Sequence, residues 1–441
     1  MRRKRLSRRT VLKTAAAGAL GFRFLPRRVL GGKGHTAASD RLNVAGIGVG
    51  GKGHSDVVGM GSENIVALCD VDEHRAGGAL REFPDARRFK DYRVMFDKMA
   101  NKIDAVTVST PDHHHAPAAM LALERGKHVF CQKPLTHSVY EARLLAERAQ
   151  QQKVATIMGI QGHCSEATRL ICETIWAGWI GDVKEVIYWT NRPIWPQGLD
   201  RPEDTPPVPA GMSWDLWLGP APVRPYHPIY APFKWRGWWD FGTGALGDIG
   251  CHAIAAAFWA LNLGHPTSIE AETSQRYEET APKWSIVRYD IPAGKMPNGR
   301  KRPPLKLVWY DGGKIPPRPA ELEPTRTMGN GGNLIIGTKG TLFNGRIIPE
   351  TKYKEMMRTP PPKVLKRSPG IYAEFIRACK GGEKTVADFT FSGALTELVL
   401  AGNLAVRTGK RIEYDGANMK CTNLPEANRF VRRKYRKGWT L

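Results

Sequence analysis

Acidic residues are missing from the start of this chain: residues 1–34 hold eleven Lys or Arg and no Asp or Glu. That stretch carries much of a net charge of +24, and residues 35–441 keep +13 without an obvious basic stripe. A spread surplus is a solvated surface rather than a phosphate track, which argues against nucleic acid as a partner. Cysteine is sparse and unpatterned. The seven residues (Cys69, Cys131, Cys164, Cys172, Cys251, Cys379 and Cys421) are odd in number and spaced neither as a disulfide framework nor as metal ligands. They point to folding in a reducing compartment, with no metal expected. There is no internal repeat, which excludes solenoids and propellers, and no apolar run of bilayer-spanning length. What is present is 441 residues, 41% hydrophobic and 24% charged, enough for two or more domains with cores of their own.

The basic leader contains Ser7-Arg8-Arg9-Thr10-Val11-Leu12-Lys13 followed by the weakly apolar Thr14-Ala15-Ala16-Ala17-Gly18-Ala19-Leu20. Paired arginines before such a stretch resemble a twin-arginine export signal, an address read by a receptor. The resemblance implies export of a folded protein to the periplasm, with a cytoplasmic cofactor already in place. The other reading is a plain basic tail. Arg23, Arg27 and Arg28 follow the apolar stretch closely and only Ala37-Ala38 offers small residues for cleavage, so an uncleaved leader is the one membrane tether expected.

From residue 41 short apolar runs at 42–47, 65–69, 105–109, 128–131 and 155–160 alternate with helical stretches at 55–60, 92–99, 117–125 and 139–152. Pro117 reads as a first helical residue and Gly126 as the stop. Continuous apolar strands between helices predict a doubly wound parallel sheet covered on both faces. Past residue 165 the texture changes to a helix at 166–177, apolar strands at 183–189, 269–273, 286–289, 305–310 and 334–336, and helices at 371–380 and 392–408. This predicts an α+β domain with an open, mostly antiparallel sheet. Residues 311–332 and 345–370, rich in Pro and Gly, read as loops. The expected division is a leader over 1–38, a Rossmann domain over 39–163 and a substrate and oligomerisation domain over 164–441.

The first strand runs into Gly46-Ile47-Gly48-Val49-Gly50-Gly51. Glycines at 46, 48 and 51 make a G-x-G-x-x-G that follows a strand and opens a helix, the setting in which such a string binds a dinucleotide. Gly46 permits the turn, Gly48 lets backbone N–H groups approach a pyrophosphate, Gly51 allows close packing, and the helix N-terminus faces the phosphates. Asp70, nineteen residues after Gly51, is placed for the adenosine ribose hydroxyls, which favours NAD, while Arg75 keeps NADP open.

Further motifs are Thr110-Pro111-Asp112-His113-His114-His115, Gln132-Lys133-Pro134 and Gly247-Asp248-Ile249-Gly250-Cys251-His252. With the glycine turn they closely resemble the Gfo/Idh/MocA oxidoreductase family over residues 41–415. The resemblance implies a dinucleotide-binding domain paired with an open-faced α/β domain, oxidation of a secondary alcohol of a sugar or cyclitol, and a dimer or tetramer. It makes Lys133 the catalytic lysine, although the family's Glu-Lys-Pro carries Gln132 here, and Asp248 and His252 the family's Asp-x-x-x-His pair. Thr110, Pro111 and His115 match the nicotinamide side, and Gln161 a cofactor-contacting position.

The chemistry suits these residue types. Oxidising a carbinol sends a hydride to nicotinamide and a proton to a base. A histidine takes a proton near neutrality, an ammonium steadies a developing alkoxide, and a carboxylate four residues before a histidine shares its helix face. His252 is thus expected as general base, Lys133 as electrostatic stabiliser and Asp248 as orienter, with His163 and His227 as bases in reserve. Singly, Asp248 also reads as a helix cap, His252 as a core histidine and Lys133 as a surface residue. Nine of thirteen tryptophans fall between Trp176 and Trp239, either as platforms for a sugar ring or as interface filling. The expected reaction is hydride transfer from a hydroxyl of a sugar, glycoside or cyclitol to tightly bound NAD or NADP. The alternatives are an NAD-dependent glycosidase working by transient oxidation and elimination, and a non-catalytic sugar-binding relative.

Overall fold

The computed structural model describes residues 40–441, so the leader with Arg8 and Arg9 lies outside the described residues. Strands β1 (Asn43–Ile47), β2 (Asn64–Cys69), β3 (Arg87–Phe89), β4 (Ala105–Val108), β5 (His128–Cys131) and β6 (Thr156–Met158) form a parallel sheet in the order β3-β2-β1-β4-β5-β6. β4 is buried along its whole length, because helices cover both faces: α1 (Lys52–Gly59), α2 (Glu73–Glu82), α3 (Tyr92–Met99), α4 (Asp112–Glu124) and α5 (Val139–Gln152). The strand order reverses between β1 and β4, and a crevice opens there at the carboxyl ends. α5 shows how locally this is written. Ser138 and Glu141 form a capping box, and Val139, Ala142, Leu145, Ala146 and Ala149 make the buried stripe.

Two elements escape the apolar pattern. β3 is Arg-Arg-Phe at the sheet edge, half in water, and α2 is polar on most of its surface, begun by the Asp72 carboxylate accepting from the His74 and Arg75 N–H groups. One boundary is corrected: α4 starts at Asp112, and Pro117 lies inside it. A proline cannot donate to the carbonyl four residues back. That carbonyl, His113 O, accepts instead from Arg433 in the C-terminal segment.

The second part begins with α6 (Glu166–Trp176) and β7 (Val183–Thr190), continues through α7 (Trp214–Leu218) and α8 (Gly244–Leu261), and then builds β8 (Ser268–Thr273), β9 (Ser285–Ile291), β10 (Gly294–Lys295), β11 (Lys301–Arg302), β12 (Leu305–Tyr310), β13 (Gly331–Gly337), β14 (Thr341–Phe343) and β15 (Arg346–Ile348). Helices α9 (Glu350–Arg358), α10 (Ile371–Cys379) and α11 (Phe389–Thr408) precede β16 (Ile412–Asp415) and β17 (Lys420–Cys421). Nine of these strands form one sheet, β15-β14-β13-β7-β12-β9-β8-β16-β17, in which β7–β12 is the parallel pair and the others run antiparallel. Residues 345–370, expected as loop, contain β15 and α9. The 311–332 segment lays Leu322 and Met328 over Ile187, Trp189, Leu334 and Phe343 on one sheet face.

The chain then returns to its beginning. The N–H of Met158, at the end of β6, donates to Ala387 O at 2.9 Å, the Phe389 N–H donates to Thr156 Oγ1 at 3.0 Å, and Tyr372 of α10 stacks on Phe130 of β5. Against the expectation of no apolar run of bilayer-spanning length, α8 and α11 are each apolar and long enough to cross a bilayer, but 72% and 78% of their 18-residue apolar windows are buried inside the fold, where they join the main core.

Candidate functional site

The glycine turn makes a cradle that a side chain would fill. Gly48 has φ +73°, and a Cβ there would lie 2.9 Å from the Ser109 carbonyl and the Thr110 nitrogen; one on Gly46 would lie 2.7 Å from Val49 and Val57. Asp70 braces this turn from below. Its Oδ2 accepts the N–H groups of Val49 (2.8 Å) and Gly50 (3.1 Å), and its Oδ1 that of Asp72 (3.0 Å). Burial pushes its carboxyl up, against those three bonds. Each oxygen can accept twice, so Oδ1 keeps room for a ribose hydroxyl. The Arg75 guanidinium hangs over Gly51, where a 2′-phosphate would meet it. These groups fit a dinucleotide.

A groove of about 380 Å³ runs from Asp70 and Tyr92, past the glycine turn, to Thr110, Pro111, Lys133 and Asp248. That volume is in the range of small-ligand sites. Lys133, carried past the end of β5, reaches across to α8 and donates to Asp248 Oδ1 and to the Asp248 carbonyl, both at 2.7 Å. Arg236 donates to the same Oδ1 at 3.1 Å. Burial pushes the Asp248 carboxyl up, but the Lys133 and Arg236 charges and bonds outweigh it and hold the group ionised. Asp248 lies in the second turn of α8, past the cap position at Thr243.

His252 stands one turn further along α8 and keeps more than a third of its surface in water. Protein packed around the ring and the nearby Lys133 charge nevertheless push it down to about 4, so the imidazole is neutral at pH 7. It lies off the groove wall, near enough to Lys133 and Asp248 to feel both charges. Asp248 spends its Oδ1 on Lys133 and Arg236. Gln161 is also off the wall, in a short 3-10 turn after β6, with its buried Nε2 unpartnered. His163 is packed between Trp259 and Phe391, and His227 pairs with Asp204.

The three consecutive histidines work as clamps. His115 Nδ1 is 2.7 Å from Pro134 O and its Nε2 2.8 Å from Thr110 O, joining the loops after β5 and β4. Burial pushes it down to about 4, so the neutral ring donates to one carbonyl at a time. His113 and His114 each place Nε2 2.9 Å from Trp217 O. Among the described residues no group of three or more His, Cys, Asp or Glu side chains is arranged to hold a metal.

Two residues that sequence reasoning passed over stand at the centre. Asp112 lines the groove, is 1% exposed, accepts from Thr243 Oγ1 at 2.8 Å, and keeps a buried Oδ1 without a hydrogen-bond partner. Burial and the Asp248 charge push its carboxyl up to about 7, against the opposing pull of Lys133, Thr243 and Arg236; the nearby thiols of Cys131 and Cys251 are themselves pushed up by burial. Asp56, fully buried in α1, accepts from Lys52, Tyr372 Oη (2.8 Å), Ser109 Oγ (2.7 Å) and Gln132 Nε2 (2.8 Å). This accounts for Gln132: a glutamate there would set a second carboxylate against Asp56. The acid in motif position after Thr110-Pro111 was the available signal for Asp112; nothing local marks Asp56.

The tryptophan-rich segment bridges the two parts. Ser213 N–H donates to Val71 O at 2.8 Å, Asp72 and Met212 form an antiparallel bridge, and Met212, Leu216 and Trp217 line one end of the groove. Trp235 and Phe233 stack on Arg236 at the other. Trp189 serves the sheet and Trp176 donates to Ala260 O.

Comparison with known proteins follows the same division. The model of an oxidoreductase family with an NAD-binding Rossmann fold matches residues 41–160, and that of the family's C-terminal α/β domain matches residues 187–296. Inositol 2-dehydrogenase of Rubrobacter xylanophilus is 36% identical over 119 residues, 25% of this chain, and the match spans only 32% of that enzyme's own length. D-xylose 1-dehydrogenase (NADP(+)) 2 of Haloferax volcanii is 23% identical over 381 residues, 85% of this chain and 98% of the relative. Among solved structures, the WlbA dehydrogenase from Bordetella pertussis, in complex with NADH and UDP-GlcNAcA, superposes with a TM-score of 0.56 at 17% identity, covering 85% of this chain and 99% of that one. Levoglucosan dehydrogenase, in complex with NADH and levoglucosan, gives 0.54 at 18%, covering 84% and 99%. At such identities the structures share a fold.

Proposed function

From the premise that this chain belongs to the Gfo/Idh/MocA family of NAD-binding oxidoreductases, we propose that it transfers a hydride from a secondary hydroxyl of a sugar, glycoside or cyclitol to a nicotinamide dinucleotide held in the groove. One observation carries the reading: Lys133, just past the carboxyl end of β5, is fixed at 2.7 Å on Asp248 of the opposing part, and both line the groove. Bound nicotinamide supplies the hydride acceptor. The Gly48 turn and the start of α1 hold the pyrophosphate, and Asp70 a ribose hydroxyl. Lys133 hydrogen-bonds the reacting oxygen and steadies its developing charge. Asp248 positions Lys133, and His252, neutral at pH 7, takes the hydroxyl proton at a ring nitrogen. Asp112 is the second proton-holding group, favoured by its unpartnered Oδ1 and a carboxyl that titrates near neutrality.

The test is direct. Purified protein should release a nicotinamide dinucleotide on denaturation, and its nicotinamide absorbance should respond to members of a panel of aldoses, uronates, glycosides and cyclitols. Binding of a sugar with no change in absorbance from any donor would instead identify a non-catalytic sensor. A redox-neutral glycoside cleavage is the second reading; it yields a split glycoside without net cofactor reduction. We also propose twin-arginine export to the periplasm through Arg8 and Arg9, which changing both to Lys should abolish, and a homo-oligomer, which light scattering would count.

A further inference from the structure

We propose that the C-terminal segment, residues 431–441, belongs to the cofactor site. With the 211–217 segment it walls the purine end of the dinucleotide on two sides and slows cofactor release enough to keep it resident through many turnovers. The proposal rests on the hydride-transfer reading and adds to it the residues that govern cofactor exchange. The position of the purine follows from the fold: the pyrophosphate lies at the glycine turn, Asp70 marks the adenosine ribose, and the base lies beyond it. The groove beyond Asp70 is walled by Tyr92, Met212, Leu216, Trp217 and Trp439. Flat apolar rings of this kind suit a purine face.

Trp439 is the outer wall, and it is held on every side. It is 9% exposed, the Arg93 guanidinium lies 4.0 Å from its ring centroid, and its ring meets those of Tyr92 at 6.0 Å and His114 at 5.4 Å. Arg93 also donates to Gly438 O at 3.2 Å. The same segment bolts down the inner wall. Arg436 donates to Asp215 Oδ1 at 2.6 Å, to Asp215 O at 2.7 Å and to Gly219 O, and its own N–H donates to Pro220 O at 3.1 Å. Arg433 and Tyr435 both bind Glu141 Oε1 at 2.6 Å. Arg433 also takes the His113 carbonyl that Pro117 frees from the helix. A purine held here would have Trp439, seated on Arg93, along one side and the 211–217 segment, tied to Val71 and Glu73, along another, and release gives up both walls.

The experiment measures release of NADH from the loaded full-length protein after an excess of NAD⁺ is added as trap. Trp439→Ala should release NADH about ten- to a hundredfold faster than the unaltered protein, the worth of one lost aromatic wall, while Trp439→Phe keeps most of the retention. Leu216→Ala, on the inner wall, should speed release by about threefold to tenfold without touching the tail. Release within about twofold of the unaltered rate in both alanine variants overturns the proposal, as does a Trp439→Ala whose apo form melts as much lower as its holo form, since that marks a purely structural residue. Failure of the unaltered protein to bind any dinucleotide overturns the functional reading instead.

Discussion

On the proposed reading the groove has a nicotinamide end around Lys133, Asp248, Arg236 and the buried Asp112, and a purine end around Tyr92, Leu216, Trp217 and Trp439. Around Lys133 the converging groups are charged and largely buried, while around Trp439 the walls are rings supplied by two segments far apart in sequence, with the exposed Arg75 and Lys90 at their edge. The difference follows from what each end would do on the proposed reading. Hydride transfer needs a substrate to enter and charge to be steadied as it develops, so polar groups converge there in fixed geometry. Holding a purine needs water excluded from a flat apolar face, and rings supply that without charge.

Substitutions can break this contrast in order of expected effect. Lys133→Ala should lower single-turnover cofactor reduction by about two to four orders of magnitude, while the dinucleotide that co-purifies, held mainly at the other end, is retained. A loss of bound cofactor in step with the loss of rate would dissolve the division of labour between the ends.

Next comes Gln132→Glu, which acts beneath the glycine turn that joins the ends. It sets a second carboxylate on the buried Asp56 and should cost about 1–3 kcal/mol in urea unfolding. Asp56→Asn in the same chain should recover at least half of it, since like charges no longer meet; an unrescued loss would mean that Gln132 matters for shape rather than charge.

The smallest effect sharpens the electrostatics of the charged end. The Asp112 carboxyl is pushed up to about 7 in the fold, against about 4 in an unfolded chain. Between those values the folded chain binds the extra proton, so the stability from neutral Asp112 is present at low pH and is lost as pH rises through about 7. Asp112→Asn cannot ionise. It should match the unaltered protein near pH 4 and exceed it by about 1–3 kcal/mol near pH 8, and any inflection of the rate near pH 7 that belongs to this carboxyl should flatten. Equal stabilities at both pH values would remove Asp112 as the group that titrates.

Much of the parallel sheet was legible because its strands are continuous apolar runs and its helices carry caps and stripes of their own; α5 ends where its pattern ends. β3 and α2 were not, because an edge strand and a solvent-facing helix need no apolar signature. Pro117 misled for a related reason. It reads as a helix start only while the partner of His113 O, 320 residues away, is out of view.

By itself the sequence determined the glycine turn after the first strand, the places of Lys133 and Asp248 along the chain and most of the strands and helices that carry them, since each rests on residues close together whose backbone and side-chain preferences act locally. Tertiary structure alone decided which carboxylates share a buried space, and so that Asp112 titrates near neutrality while Asp248 stays ionised. It also turned three histidines into clamps and brought the chain's last residues over the groove that its first strand opens. Those outcomes depend on burial and on charges that meet only across the folded chain. Such terms grow as water is excluded, and no stretch of sequence contains them.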